Sequence, residues 1–570
     1  MPKHPLTRAE ASGFTETSRH ADVMAFIAGL AARNDPRLHV ADFGTSPEGR
    51  ALPLLVLSAQ GHFTPDAAHA AGLPVVLVIC GIHAGEVEGK EGGLMLVRDL
   101  LDGNVEAAQA ITGAANAAYA MSAAAAANVA RVMDAAPVMD PASVIEAAFA
   151  MGVAPETLIA SAAASAHAAN TLSATNLLDK LTLVVVPLFN PDGNDRIDPA
   201  NRALDVEHFK GQLGPDSGVG TRVNAAGVNL NRDYMRQDAP EMRALQTRVC
   251  QPWNAHLTID CHATNGSIHR FAMTYDIPHV VESGRREPID YMREKMMPAV
   301  SAAVKRRDGF DSFWYGNFLR DEGGQGTGWI TYTHHPRFGG NYRGLTNRLD
   351  LLLEAYSYIT FEERVQVTYA FIREALVHVA AHGDEIRALL DACTMPPDRI
   401  AVRYRLEPLP GTGVDILTRE PYALDGAPIV VPNVPHYARF VGEHVVDRPW
   451  GYAVPPEIAK QLEGHGLVVE YPTDSPMLDV EVATITGRGT SEGREILEAN
   501  ASTWLEATYG AERRALPEGW GIVPTEQPRG AMAVYLCEAA SDDGAVPCEW
   551  FDAPAAGQEH PLLRVRSGMI

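Results

Sequence analysis

Four apolar runs, each followed at once by polar residues, constrain the fold of this chain more than any other feature. The runs lie in "PVVLVIC" (74–80), "KLTLVVVPLF" (180–189), "AHLTID" (255–260) and "RLDLLL" (348–353). Short runs rich in valine, isoleucine and leucine are typical of strands that are covered on both faces. We therefore predict an α/β fold, with a mixed, largely parallel twisted sheet flanked by helices.

The length and composition of the chain predict more than one domain. At 570 residues the chain exceeds what one hydrophobic core usually organises. Residues 104–176 are rich in alanine, which favours helix but buries little area, so we predict a helical insert there. Pro396 marks a boundary between a first domain, 1–395, and a C-terminal accessory domain, 396–570. In the accessory domain, which we predict to be β-rich or α+β, the runs "APIVVP", "GLVVEY" and "AMAVYL" are interpreted as strands.

The charge of the chain excludes several classes of partner. A formal net charge of -24 and a pI near 5.2 argue against nucleic acid and against an anionic membrane surface. The first twenty residues lack the apolar core of a secretion signal. Six cysteines are scattered without a C-x-x-C pair, which is typical of thiols in a reducing compartment. We expect a cytoplasmic protein as the sequence stands, or an exported one if a leader has been removed.

The polar residues that follow the runs are of the types that bind metals and move protons. His83 and Glu86 follow the first run, His262 follows the third, and Glu354 follows the fourth. In open α/β sheets, ligands collect beyond the carboxyl ends of strands, where such residues converge. Catalytic zinc takes three protein ligands and leaves a fourth position for water, which His83, Glu86 and His262 would suit. By itself, however, H-x-x-E is equally explained as an ordinary polar turn.

The order of the motifs resembles that of a known family. "GIHAGEVEG", "NPDGNDR", "GVNLNRDY" and "DCHATNG", followed by "LLLEAYSY", resemble the zinc metallocarboxypeptidases, the carboxypeptidase A-like peptidases. The resemblance covers roughly residues 12–390 without the alanine-rich insert, and the C-terminal region looks similar to the tail of larger bacterial relatives. The resemblance implies one zinc ion held by His83, Glu86 and His262, with Glu354 as the general base. The ordinary alternative for Glu354 is an ion pair with Arg348.

The same resemblance implies the groups that bind the substrate. Asn231 and Arg232 match the pair that holds the terminal carboxylate, for which a guanidinium offers a two-pronged bond. The alternative for Arg232 is a loop ion pair with Asp233. Arg222 matches the arginine that stabilises the developing oxyanion, and Arg202 is the competing candidate.

Two further positions follow from the resemblance. Tyr342, in "GGNYRG", is the candidate for the mobile tyrosine that covers bound substrate, with Tyr332 as its competitor. Where relatives commonly carry an aspartate that orients the first zinc-binding histidine, this chain has Asn229. An amide can still accept a hydrogen bond from His83, but it lacks the full charge that raises the basicity of the ligand.

These residues lead to a function and its alternatives. We expect a zinc-dependent metallocarboxypeptidase that hydrolyses the C-terminal peptide bond of peptides. A zinc amidohydrolase, deacylase or cell-wall peptide hydrolase would use the same groups on a small amide near a free carboxylate. A non-catalytic binding module is the alternative from another class, although it would need no base beside an open metal position.

Overall fold

The computed structural model describes residues 4–103, 105, 177–264, 266–320, 326–491 and 502–567. The predicted helical insert at 104–176 therefore lies, apart from Val105, outside the described residues.

The described strands before residue 395 are β1 (Leu38–Thr45), β2 (Ala51–Leu57), β3 (Val75–Cys80), β4 (Thr182–Val186), β5 (Leu257–Thr264), β6 (Met273–Asp276), β7 (Ser312–Trp314), β8 (Asn317–Arg320), β9 (Gly326–Ile330) and β10 (Leu349–Tyr356). Those after it are β11 (Arg399–Pro408), β12 (Val414–Glu420), β13 (Ala427–Val434), β14 (His436–Asp447), β15 (Gly451–Val454), β16 (Met477–Thr490), β17 (Thr503–Ala515), β18 (Gly521–Pro524) and β19 (Leu563–Val565).

The described α-helices are α1 (Arg8–Ala11), α2 (His20–Ala31), α3 (Pro65–Ala70), α4 (Glu88–Asp102), α5 (Pro191–Asp195), α6 (Pro240–Leu245), α7 (Gln251–Trp253), α8 (Glu287–Tyr291), α9 (Met297–Asp308), α10 (Gly339–Gly344), α11 (Phe361–Ala392), α12 (Pro456–Gly464) and α13 (Gly530–Cys537). The π-helical turns Gln246–Cys250 and Met292–Met296 join α6 to α7 and α8 to α9, and short 3₁₀ turns lie at Leu177–Asp179 and Leu230–Arg232.

The apolar runs form the centre of an eight-stranded sheet. Its strand order is β1-β2-β4-β3-β5-β10-β6-β7. The four central strands, β4, β3, β5 and β10, are parallel, whereas β2 and β6 pair with them in antiparallel fashion. All residues of β3, β4 and β5 are buried, as continuous apolar runs predict. The prediction of a mixed, largely parallel sheet is confirmed.

Helices cover both faces of this sheet and define its two cores. One core contains Val97 from α4, Phe371 from α11 and Val300 from α9, together with apolar residues of the strands. The other contains Met242 from α6 and extends to Tyr452 and other residues of the C-terminal region. The hydrophobic core on this second face therefore continues across residue 395.

Strands also pair across residue 395. β8 and β9 join β14 and β11 in a four-stranded sheet of order β11-β14-β9-β8, in which β14 lies parallel to β9. A five-stranded sheet of order β17-β16-β19-β15-β18 and the hairpin of β12 and β13 complete the C-terminal region. The division into domains at 395 stays a prediction, but the described structure joins the two parts through a shared sheet.

The assignment of short strands in the C-terminal region was partly wrong. "APIVVP" lies in β13, but "AMAVYL" lies in the buried helix α13, and in "GLVVEY" only Glu470 pairs, in an isolated bridge to Ile522. Every residue of α13 is buried, so its apolar run has no polar face. Such a run cannot be assigned to helix or strand from periodicity.

Among the described helices, none combines the length and the apolar character that crossing a lipid bilayer requires.

Candidate metal centre and its cavity

Three predicted ligands converge at the carboxyl end of the central strands. His83 Nδ1 lies 3.1 Å from Glu86 Oε2, and His262 Nδ1 lies 2.9 Å from the same oxygen. The two Nδ1 atoms are 3.2 Å apart. All three side chains are buried. The structure therefore brings together two imidazole nitrogens and one carboxylate oxygen, pointing at a common centre.

The sheet and one close helix contact set this geometry. His83 and Glu86 lie in the turn between β3 and α4, where Glu86 N donates to His83 O at 2.9 Å. His262 lies within the neighbouring strand β5. A Cβ at Gly89, on the first turn of α4, would lie only 2.4 Å from Cys261 Cβ, so glycine lets this helix pack directly on β5. The turn with His83 and Glu86 is thereby held against the strand that carries His262.

The donor set fits a catalytic zinc ion. Zinc accepts histidine nitrogen and carboxylate oxygen at about 2.0 to 2.2 Å, so tetrahedral ligands lie about 3.3 to 3.6 Å from one another. The separations of 2.9, 3.1 and 3.2 Å approach the lower end of that range. Three protein ligands would leave the fourth position open to the cavity, as in catalytic rather than structural zinc sites.

The charges around the three groups also suit a cation. Burial, together with Arg222, lowers the pKa of His83 to about 3, so this ring is neutral. Burial opposes ionisation of Glu86, but His83, His262 and Arg202 hold the pKa of its carboxyl well below the usual range. For His262, burial is outweighed by Asp260 and Glu86, which raise its pKa. Metal binding displaces protons from such ligands, so a cation would take the place of the proton on His262.

Each histidine has a polar partner on its far side, a hydrogen bond for His83 and an ion pair for His262. His83 Nε2 lies 3.0 Å from Asn229 Oδ1, so Asn229 stands where the resemblance placed the orienting group. His262 Nε2 lies 3.2 Å from Asp260 Oδ1. Asp260 Oδ2 in turn accepts from Arg343 Nη2 at 2.9 Å. The charged partner, Asp260, therefore lies beside His262, and the neutral partner, Asn229, lies beside His83.

Asp260 is a residue that the sequence reasoning missed, although a signal for it existed. In a β-strand, residues two apart point to the same face. The pattern "DCH" therefore predicts that a carboxylate lies beside the ring of His262.

Glu354 lies beside the centre without being one of its three converging groups. In the parallel pair of β5 and β10, Glu354 is the register partner of His262, so both side chains project from the same face. Burial raises the pKa of Glu354 to about 8, with Glu86 adding to the shift while His262 and Arg222 oppose it. The alternative ion pair with Arg348 is not formed, because Arg348 Nε donates to Asn254 Oδ1 instead.

Both candidate arginines reach the metal ligands. Arg222 Nη1 lies 3.1 Å from Glu86 Oε1, and Arg202 Nη1 lies 3.0 Å from the same oxygen. Arg202 is also bonded to Gln212, Ala263 O and Ser357, which fix it against the protein. The side chain of Arg222 is 35% exposed, compared with 15% for Arg202. Of the two, Arg222 is the more accessible from the cavity.

Asn231 and Arg232 line the same cavity as His83 and Glu86. Asn231 Oδ1 accepts from Gly339 N at 3.0 Å, which orients its amide. The guanidinium of Arg232 lies 3.7 Å from the centre of the Phe338 ring and donates to Asn231 O at 2.7 Å. These contacts hold an amide and a guanidinium side by side, as binding of a carboxylate requires.

Tyr342 does not lie in the cavity, and its predicted role as a mobile cover is wrong. It is only 1% exposed, packs against Tyr234, and its hydroxyl lies 2.8 Å from His465 Nδ1.

The competing candidate Tyr332 lines the cavity, and so does Tyr315, which sequence reasoning missed. Burial, and after it the charge of Glu354, raises the pKa of Tyr315 above its ordinary value. Residues 310–345 contain many aromatic residues, and nothing in the sequence distinguishes Tyr315 from the others.

The cavity has a volume of about 730 Å³, and residues from both sides of residue 395 line it.

A second cluster of potential ligands, formed by His334, His335 and Asp542, lies on the wall of this cavity. There, His334 Nε2 lies 2.8 Å from Asp542 Oδ2, but His335 is bonded through both ring nitrogens to Thr333 and Ser502. The second cluster is thus a hydrogen-bonded network in which both ring nitrogens of His335 already have protein partners. His256 and His269 are buried elsewhere as structural residues.

The sequence profile of the family described as zinc carboxypeptidase matches residues 23–114 and 152–271, which include His83, Glu86 and His262, while Glu354 lies beyond them. A search of curated proteins finds no match.

Solved structures similar to this chain include a metallo-carboxypeptidase from Burkholderia cenocepacia, at 17% identity, a TM-score of 0.36, and coverage of 63% of this chain and 69% of that one. A metallo-carboxypeptidase from Pseudomonas aeruginosa, in complex with (2-guanidinoethylmercapto)succinic acid, has 15% identity, a TM-score of 0.35, and coverage of 65% and 69%. Carboxypeptidase A from Helicoverpa armigera has 12% identity, a TM-score of 0.33, and coverage of 66% and 75%.

Proposed function

We propose that this chain, whose residues 23–114 and 152–271 match the zinc carboxypeptidase family, is a zinc metallopeptidase that releases the C-terminal residue of peptides at the centre formed by His83, Glu86 and His262. These three residues would hold one zinc ion. When bound, zinc lowers the pKa of water and polarises the scissile carbonyl.

The residues of the chain supply the proton transfer and the charge stabilisation. Glu354 takes the proton of the attacking water and gives it to the leaving amine. Arg222, which faces the cavity, stabilises the negative charge that develops on the carbonyl oxygen. Asn231 and Arg232 bind the terminal carboxylate, which places the last peptide bond next to Glu354.

One observation carries the proposal: the three donor atoms lie within 3.2 Å of one another, and Glu354 is in register with His262 on the same cavity as Arg232. A non-catalytic binding module would not need the half-buried carboxyl of Glu354 beside an open coordination position.

Hydrolysis of matched substrates tests the proposal. The zinc-loaded protein is assayed on three classes of substrate, and their hydrolysis rates are compared. The classes are N-blocked dipeptides with a free carboxylate, the C-terminal amides of those dipeptides, and N-acyl amino acids. We expect the free dipeptides to be cleaved and the amides to be poor substrates, because an amide cannot form the charged bond to Arg232. Equal rates on the amides would overturn the carboxypeptidase assignment, and cleavage of N-acyl amino acids alone would make the protein a deacylase.

A further inference from the structure

We propose that the region after residue 395 is the far wall of the substrate cavity and that it restricts the enzyme to short peptides. This inference rests on the proposed function and adds the substrate class. The cavity that contains His83 and Glu354 is also lined by Tyr404, Tyr437, Phe440 and Trp504, which all come from the C-terminal region.

The wall is fixed to the sheet that joins the two parts of the chain. Tyr404 and Phe440 lie on β11 and β14, and β14 pairs with β9 of the preceding region through His436 and Tyr437. Main-chain hydrogen bonds run across this junction: Trp329 N donates to Pro435 O at 2.8 Å, and Thr331 N donates to Tyr437 O at 3.1 Å. A wall bonded in this way does not open without breaking a sheet.

Side chains strengthen the same junction. Asp542 bonds to His334 at 2.8 Å, and Asp543 bonds to Arg337 N at 2.6 Å. Ser502 Oγ lies 2.8 Å from His335 Nε2. The segment 334–337 is therefore tied to the C-terminal region by polar contacts, and it directly precedes Phe338 and Gly339, which contact Arg232 and Asn231.

Trp504 is held in place on the long hairpin of β16 and β17. Its register partner is Gly489, where a Cβ would lie only 2.1 Å from the indole ring. The guanidinium of Arg403 lies 4.3 Å from the centre of the Trp504 ring, and Arg403 Nε bonds to Glu443 at 3.0 Å. Glycine on one side and a paired guanidinium near the ring fix the indole as a rigid part of the wall.

The size of the enclosure indicates the class of substrate. A volume of about 730 Å³ lies within the range of about 300 to 1,000 Å³ that is typical of small-molecule pockets. An open groove would let a long chain leave the site in either direction. Because Arg232 and the aromatic residues line one cavity of this volume, we expect a substrate whose carboxylate is bound by Arg232 to meet the aromatic wall after a few residues.

The test is a length series of N-acetylated peptides, from a dipeptide to a decapeptide, that share the same two C-terminal residues. For the zinc-loaded wild type, we expect kcat/KM of the decapeptide to be at least about tenfold below that of the best short peptide. In Trp504→Ala, and to a smaller degree in Arg403→Ala, the ratio of long to short substrate should rise. Glu506→Ala, at an exposed position on the same strand, is the matched control and should leave the ratio unchanged.

The outcomes separate this inference from the proposed function. Equal kcat/KM for all lengths in the wild type would overturn the wall as a limit while leaving a carboxypeptidase in place. Failure to cleave any peptide of the series would overturn the proposed function and the inference with it. A wild-type preference for short peptides that neither Trp504→Ala nor Arg403→Ala changes, in variants whose melting temperature matches that of the wild type, would also refute the assignment to this wall.

Discussion

Replacing Glu354 with glutamine should stop hydrolysis while leaving the metal in place. Glutamine has the same shape as glutamic acid but cannot accept the proton of water, and its carbonyl can still fill the same space beside His262. Burial already disfavours the charged form of Glu354, since it raises the pKa to about 8, so a neutral amide adds no desolvation cost. The variant should therefore fold, and its defect should lie in the chemical step.

The size of the defect follows from the role of the group. A positioned general base contributes about 10²- to 10⁴-fold, which corresponds to about 2.7 to 5.4 kcal/mol in the barrier. We expect kcat to fall by that factor and KM to change little, because the carboxylate-binding groups are Asn231 and Arg232. The zinc content should stay that of the wild type, since the Glu354 carboxyl is not among the three converging donors.

The assay combines metal analysis with steady-state hydrolysis of a blocked dipeptide. Glu362→Gln is the matched control, because Glu362 lies nearby in sequence but is exposed at the start of α11. Retention of more than about a tenth of wild-type kcat in Glu354→Gln would remove Glu354 from the mechanism. Loss of zinc from the variant would instead make Glu354 a ligand and refute the three-ligand centre.

Three further predictions concern charge around the centre. In metal-free protein, stability should fall as the pH rises from about 4.5 to about 8, because Glu354 keeps its proton when folded and releases it on unfolding; thermal melts of Glu354→Gln should lack part of this fall. Asn229→Asp should raise zinc affinity and Asp260→Asn should lower it, each by about 10- to 100-fold, and unchanged values in competition with a chelator would refute their role as partners of the histidines. Arg232→Ala should lower kcat/KM for dipeptides by about 10- to 100-fold and leave the slow reaction on their amides unaffected; an equal loss on both substrates would contradict a carboxylate clamp.

The sheet could be predicted because local sequence determines it. The apolar runs identify β3, β5 and β10 as buried strands, and parallel strands bring their carboxyl ends together. This arrangement brings His83, Glu86 and His262 to one edge of the sheet, but only the resemblance to a known family distinguishes a metal site from an ordinary polar turn.

Residues that reach the cavity through distant pairing could not be predicted. The sequence around Tyr437 does not indicate that this residue pairs with Ile330. Asp542 contacts His334, which lies more than two hundred residues away in the sequence. The resemblance alone suggests Tyr342 as a cover for the substrate, but packing against Tyr234 and His465 decides its place. The local sequence pattern indicates the face of a strand or helix to which a side chain points. These contacts depend instead on which distant segment packs on that face.

The shared sheet of β8, β9, β14 and β11 has a practical consequence for anyone who shortens this protein. A version ending at 395 would retain every proposed zinc ligand, yet it would leave the backbone of β9 unpaired along one side. Such an open strand edge recruits other chains. Fragments that end at this point should therefore accumulate as insoluble material. If such a fragment is inactive, the cause would be the absence of β14 and β11 and not the absence of a catalytic residue.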